Sequence, residues 1–248
     1  MKIGVFDSGI GGLTVAKSLL ESRLFTEIIY FGDTARVPYG SKDKNSVIRY
    51  SLEAVEFFKN FDIELLVVAC NTVSAYALPQ MRAEADFDIV GVIESGVLAV
   101  ENNQISKNDE ILIIGTEATI SSSIYQKLLS HKGYKNIQAL ATGLFVPIVE
   151  EGIFSGEVLD SAMNFYFQKI KTSPKHIILG CTHFPLIGNE IAKYFSPRPK
   201  LIHSGDAIVQ YLISEYPNLI KHKTEIKFFA SDNPQNLKKI AKRWLNES

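Results

Sequence analysis

The chain has 248 residues, 46% of them hydrophobic, enough to fill the core of two modest domains or one large one. Its 26 Lys plus Arg and 27 Asp plus Glu leave a net charge of −1, and no basic cluster is interleaved with aromatic residues, which argues against a nucleic-acid groove. No apolar run approaches the roughly 20 residues needed to cross a bilayer, so no membrane partner is expected. Met1-Lys2 leads straight into a strand-like run, without the charged and apolar regions of a secretory leader. The expected location is the cytoplasm, where the two cysteines, Cys70 and Cys181, would be reduced and reactive or structural rather than joined.

Short apolar runs alternate with stretches of helical period. Ile3–Asp7, Glu27–Phe31, Glu64–Ala69, Ile89–Ile93, Ile111–Gly115, Ile137–Leu140, His176–Leu179, Leu201–His203 and Glu225–Phe229 read as strands. Most are separated by about ten to twenty residues, the length of a crossover helix in a parallel sheet. The pattern predicts an α/β fold. The strand number and two similar strand-Cys-helix units favour two similar lobes, each a mainly parallel sheet flanked by helices. We place residues 1–93 in the first lobe and 94–207 in the second, with 208–248 returning to the first.

Asp7-Ser8-Gly9-Ile10-Gly11-Gly12 follows the first strand and precedes a helix starting near Leu13. Its glycines permit a tight turn with backbone amides open to an anion. Thr14 stands where a dinucleotide fingerprint needs its third glycine, and no Gly-Lys-Ser/Thr follows, so a carboxylate-binding turn fits better. The alternative is a simple turn with Asp7 as a helix cap. Gly32-Asp33-Thr34-Ala35-Arg36-Val37-Pro38-Tyr39-Gly40 is a long loop after the second strand, in which Tyr39 either offers its hydroxyl to a ligand or packs as a lid on the core.

Each thiol closes an apolar run and opens onto small polar residues: Cys70 onto Asn71-Thr72, and Cys181 onto Thr182-His183. Cysteine at a helix N-terminus is expected to ionise below its usual value of about 8.5. A lone buried cysteine is ordinarily a small hydrophobe, but two in equivalent settings point to chemistry. His183 and Glu150 are placed to tune the second thiol or relay its proton. Thr116 and Thr119 add hydroxyls at another strand end. Zinc held by Cys70, Cys181 and His183 matches no structural zinc spacing, and no metal is expected.

Phe6-Asp7-Ser8-Gly9-Ile10-Gly11-Gly12-Leu13, Pro38-Tyr39-Gly40, Ala69-Cys70-Asn71-Thr72 and Gly180-Cys181-Thr182-His183-Phe184-Pro185-Leu186 together resemble the glutamate racemase family, in its order and spacing along nearly the whole chain. Val73 departs from the alanine of many relatives, at a position with no catalytic part. The resemblance implies a cofactor-independent enzyme that interconverts L- and D-glutamate for bacterial peptidoglycan, with its active site in the cleft between two lobes. It makes Cys70 and Cys181 the acid/base pair, with Asp7 assisting the first and Glu150 and His183 the second. Ser8, Pro38, Tyr39, Gly40, Asn71, Thr72, Thr116, Thr119 and Thr182 would hold the substrate. The ammonium is expected at Asp7 or Ser8 and the distal carboxylate at the Tyr39-Gly40 loop. The resemblance also implies a homodimer. Some relatives carry an N-terminal extension linked to activation by a peptidoglycan precursor, which this chain is expected to lack. Two rivals stay open beside an aspartate-specific racemase. One is a cysteine hydrolase or transferase with Cys181 as nucleophile and His183 as base, although residues two apart on a helix or strand seldom meet. The other is a non-catalytic amino-acid-binding module.

Overall fold

Strands buried on both faces need aliphatic residues in unbroken runs, and Leu65-Leu66-Val67-Val68 and Ile111-Leu112-Ile113-Ile114 supply them. The structure is a computed structural model that describes residues 1–246. Its strands are β1 (Lys2–Asp7), β2 (Glu27–Gly32), β3 (Leu65–Val68), β4 (Asp88–Gly91), β5 (Ile111–Gly115), β6 (Ile137–Ala141), β7 (His176–Gly180), β8 (Lys200–His203) and β9 (Glu225–Ala230). Its helices are α1 (Leu13–Ser22), α2 (Lys44–Phe58), α3 (Asn71–Tyr76), α4 (Leu78–Glu84), α5 (Val92–Asn102), α6 (Glu117–Ser121), α7 (Ile124–His131), α8 (Phe145–Glu150), α9 (Glu157–Phe167), α10 (Gly188–Tyr194), α11 (Ser204–Glu215) and α12 (Pro234–Asn246).

Two parallel sheets result, ordered β4-β3-β1-β2-β9 and β6-β5-β7-β8. This is the α/β architecture expected. In the first sheet the chain runs from β1 to β2 on one side, then crosses to β3 on the other; in the second it runs from β5 to β6, then crosses to β7. Open parallel sheets hold ligands beyond the strand C-termini where the winding reverses. Ser8 and Cys70 follow the first reversal point, and Thr116 and Cys181 follow the second.

Alternation along the strands divides the core. Ile3 and Val5 of β1 join Leu112 and Ile114 of β5, together with Leu237 and Trp244 of α12, in one apolar cluster spanning both sheets. Phe6, Leu66 and Val68 turn the other way and pack with Val55 and Phe58 of α2. Ile111, Ile113 and Ile178 pack with Val97 of α5 and Leu129 of α7. Helix α11 lies against both α1 and α5. Among the described residues no helix is long and apolar enough to cross a membrane.

Two local expectations are corrected. The strand read over Ile89–Ile93 ends at Gly91, and Val92 and Ile93 open α5, where both are buried. An apolar run cannot by itself separate the end of a strand from the buried face of the next helix. The helix expected directly after Cys181 is a short 3-10 turn at Phe184–Ile187 before α10 begins. Pro185 lies in that first turn and has no N–H to donate.

Candidate active site

Cys70 is the N-cap residue of α3, while Cys181 directly follows β7. Both are free thiols, each 6% exposed. They line one cavity of about 320 Å³, a volume suited to a small metabolite. Ser8, Pro38, Tyr39, Gly40, Asn71 and Thr72 contribute to its wall from one sheet, and Thr116, Glu150, Thr182 and His183 from the other. Asp7 and Thr119 are fully buried behind that wall, bonded to residues that form it.

On the second thiol's side, Cys181 Sγ lies 3.7 Å from His183 Nδ1, and His183 Nε2 lies 3.1 Å from Glu150 Oε1. Residues two apart do meet here, because the chain past β7 is neither helix nor strand but bends back on itself. Burial of His183 opposes its positive charge, but its bonds to Cys181 and Glu150 outweigh burial and push it up to about 10.

The first thiol behaves otherwise. Cys70 Sγ donates to Ser8 Oγ at 3.5 Å. Burial, reinforced by the Asp7 carboxylate, pushes the Cys70 thiol up to about 12, against the pull of Ser8 and the Val73 amide. The expectation of an easily ionised thiol at a helix N-terminus is therefore reversed for Cys70: desolvation outweighs the helix end.

Asp7 is raised by burial and sits between the two sides. Its Oδ2 accepts from the Gly9 amide at 2.9 Å, and its Oδ1 from the Thr182 hydroxyl at 3.4 Å. The Gly9 amide, expected to be open to an anion, is thus taken by the turn's own carboxylate. The glycines serve close packing instead. A Cβ on Gly11 would lie 2.4 Å from Thr182 Oγ1 and 2.5 Å from His183 Cε1.

Three hydroxyls meet across the cavity's far wall: Thr72 and Thr116 at 3.0 Å, Thr72 and Thr119 at 3.4 Å, and Thr116 and Thr119 at 3.0 Å. Asn71 is fixed by Tyr125, whose hydroxyl donates to Oδ1 at 2.8 Å, and by its own Nδ2, which donates to Ser204 Oγ at 3.4 Å. Among the described residues, no three His, Cys, Asp or Glu side chains converge in a way that could hold a metal ion.

Residues 16–212 match the family described as Asp/Glu/Hydantoin racemase. The chain belongs to that family. Glutamate racemases of a Nitratiruptor species and of Campylobacter jejuni are each 59% identical to it, over 100% and 99% of this chain and 98% of each relative. The crystal structure of glutamate racemase from Campylobacter jejuni superposes with a TM-score of 0.97 at 58% identity, covering 100% of this chain and 99% of that one. One from Francisella tularensis, in complex with D-glutamate, superposes at 0.87 with 33% identity, covering 100% and 94%. The chain is an amino-acid racemase, an isomerase.

Tyr39, expected either to offer its hydroxyl to a ligand or to pack on the core, is buried with that hydroxyl donating to Asp33 Oδ2, while the residue still lines the cavity. Several other residues of the racemase's site escape a reading of the sequence. Asp33 carries the signal of a carboxylate directly at a strand end, masked by a loop rich in turn formers. Glu117 also lines the cavity, but in sequence it looks like an ordinary acid in the first turn of α6. Val146 and Pro147 supply apolar wall from α8, at positions indistinguishable from core.

Proposed function

We propose that the racemase interconverts L- and D-glutamate by two-base proton transfer at Cα, without pyridoxal phosphate or metal. The observation that carries this reading is the pair of free thiols, set on different sheets, that line one small cavity. Inversion needs one group to remove the α-proton and another to deliver a proton to the opposite face. With L-glutamate, the Cys181 thiolate takes the α-proton and the Cys70 thiol donates, leaving a Cys181 thiol and a Cys70 thiolate. D-glutamate meets that second state and runs the step in reverse.

The unequal surroundings of the thiols support this polarity. Burial holds Cys70 protonated, with its acidity near 12, as a donor requires. His183, pushed up to about 10, stays protonated at neutral pH and gives a Cys181 thiolate a cationic neighbour. The carbanion that develops at Cα is poorly stable in water and must be stabilised by fixed donors in a dry site. Asn71, Thr72, Thr116 and Thr182 line the cavity as the donors, with Thr119 behind Thr72 and Thr116 orienting their hydroxyls. Ser8, beside Cys70, is placed to meet the ammonium, and the Pro38-Tyr39-Gly40 segment to meet the distal carboxylate. D-glutamate supplied this way would enter peptidoglycan, in the cytoplasm, from a homodimeric enzyme.

Glutamate is favoured as substrate because the full-length relatives at 59% identity are glutamate racemases. The experiment is polarimetry of purified protein with L-glutamate and, separately, L-aspartate, in the presence of a chelator and without pyridoxal phosphate. The rotation of glutamate should decay to zero much faster than that of aspartate. Glutamate rotation unchanged over hours would sink the proposal, and faster loss with aspartate would reassign the substrate.

One observation favours a second reading. Cys181, His183 and Glu150 are connected as nucleophile, base and orienting carboxylate of a cysteine hydrolase would be. That reading leaves Cys70 without a task. A covalent adduct on Cys181 seen by mass spectrometry during turnover would support it.

A further inference from the structure

A carboxylate buried completely is costly unless donors surround it, and Asp33 is fully buried at a point outside the chemistry. It is matched by three donors. Its Oδ2 accepts from the Tyr39 hydroxyl and lies 2.7 Å from Arg36 Nε, while its Oδ1 accepts from Ser231 Oγ at 2.6 Å. These partners come from two places: the loop after β2, and the segment just past β9. Ser231 Oγ also accepts from the Ala35 amide at 2.9 Å, closing the knot onto the loop backbone.

The knot reaches the cavity through Tyr39. Tyr39 is held at both ends, its hydroxyl by Asp33 and its ring beside Tyr50 at 5.6 Å. The next residue, Gly40, lies so close to the second sheet that a Cβ there would stand 2.6 Å from Thr116 Cβ. Thr116 in turn belongs to the hydroxyl cluster on the cavity wall. A continuous path of contacts therefore runs from the end of β9 through Asp33, Tyr39 and Gly40 to Thr116.

We infer that Asp33 is a positioning residue. It sets the place of the Pro38-Tyr39-Gly40 segment against Thr116, and through it the affinity for substrate rather than the rate of proton transfer. The thiols' own hydrogen bonds run elsewhere, Cys70 to Ser8 and Cys181 to His183, so the knot bears on the binding wall rather than on the proton-transferring groups. The inference rests on the racemase reading above, in which that segment meets the distal carboxylate of glutamate.

The test uses the full chain with Asp33→Ala, Asp33→Asn and Ser231→Ala, comparing KM and kcat in both directions with the Kd for glutamate from calorimetry. Asp33→Ala should raise KM and Kd about tenfold or more, the scale of a lost hydrogen bond to a charged group, with kcat within about threefold of wild type. Asn keeps an oxygen for Tyr39 but loses the charge facing Arg36, so Asp33→Asn should recover part of the affinity. Ser231→Ala removes one donor and no charge; it should raise KM about two- to threefold, and it reports even if Asp33→Ala fails to fold. A role confined to stability would lower the melting temperature and the active fraction while leaving KM and Kd unchanged. That outcome, with a wild-type chain that turns over glutamate, overturns this inference alone. Should wild type bind glutamate without racemising it, the functional reading fails and the Kd values still decide the role of Asp33. A wild-type chain that does neither overturns both.

Discussion

At the scale of single residues, the two thiols look alike in sequence and differ in their surroundings. Cys70 is shielded beside Ser8 with Asp7 nearby, and Cys181 faces a His183–Glu150 pair. The matching punctuation of Cys70-Asn71-Thr72 and Cys181-Thr182-His183 was legible because each follows a strand end. The inequality was not, since desolvation depends on what the rest of the fold stacks over each sulfur. That His183 serves Cys181 was legible from their spacing, but the backbone that brings them to 3.7 Å was not, because residue types alone do not specify an irregular bend. The Glu150 contact predicts a pH effect. His183 is raised from 6.5 to about 10, so it takes up a proton on folding within that window. Its stabilisation is complete below the lower value and lost as pH rises through the upper one. The melting temperature of wild type should therefore fall more steeply between pH 7 and about 10 than that of Glu150→Gln, whose His183 should titrate nearer its ordinary value. Calorimetric scans across that range check it; equal slopes would show that Glu150 does not hold the proton.

At the scale of elements, the strands were the most legible part, since runs such as Leu65–Val68 and Ile111–Gly115 have no other stable use in an α/β chain. The strand-end turns were less so. The glycines of Asp7–Gly12 look like an anion cradle in sequence, yet Gly11 is there because Thr182 and His183 lie against it. Gly40 has the same function toward Thr116, which makes it a test of how tightly the two sheets' loops must fit. Gly40→Ala places a methyl group 2.6 Å from Thr116 Cβ, and one of the two loops has to yield. The expected cost is about 1–3 kcal/mol of stability together with a KM raised several-fold. Urea denaturation and steady-state kinetics read the two effects separately. A variant with wild-type stability and KM would mean that the loops are free to separate.

At the scale of the whole molecule, two sheets with their own reversal points share one apolar cluster, and the cavity lies where both reversal points face each other. Hydrogen bonds across this boundary tie the surroundings of the two thiols together. Tyr125 of α7 is buried and donates to Asn71, the residue next to Cys70. Tyr125→Phe leaves Asn71 Oδ1 without that donor and should cost about 1–3 kcal/mol, measured by chemical denaturation, with a lower kcat as Cys70 loses its register. Stability and kcat both unchanged would show that Asn71 is held by other means. The pairing of halves could be guessed from two similar motifs, but not which side chains lock them, because such contacts join residues far apart in sequence. Two thiols on two sheets imply that Cα is served from opposite faces by different groups. Chiral chromatography with mass detection of L-glutamate racemised in heavy water and stopped early, with Cys70→Ser and Cys181→Ser run alongside, decides whether it is. The first D-glutamate formed should carry deuterium at Cα while the remaining L-glutamate keeps its protium, and each variant should lose racemisation by about a hundredfold or more. D-glutamate that retains the substrate's own proton, or near-normal turnover by either variant, would contradict a two-sided transfer.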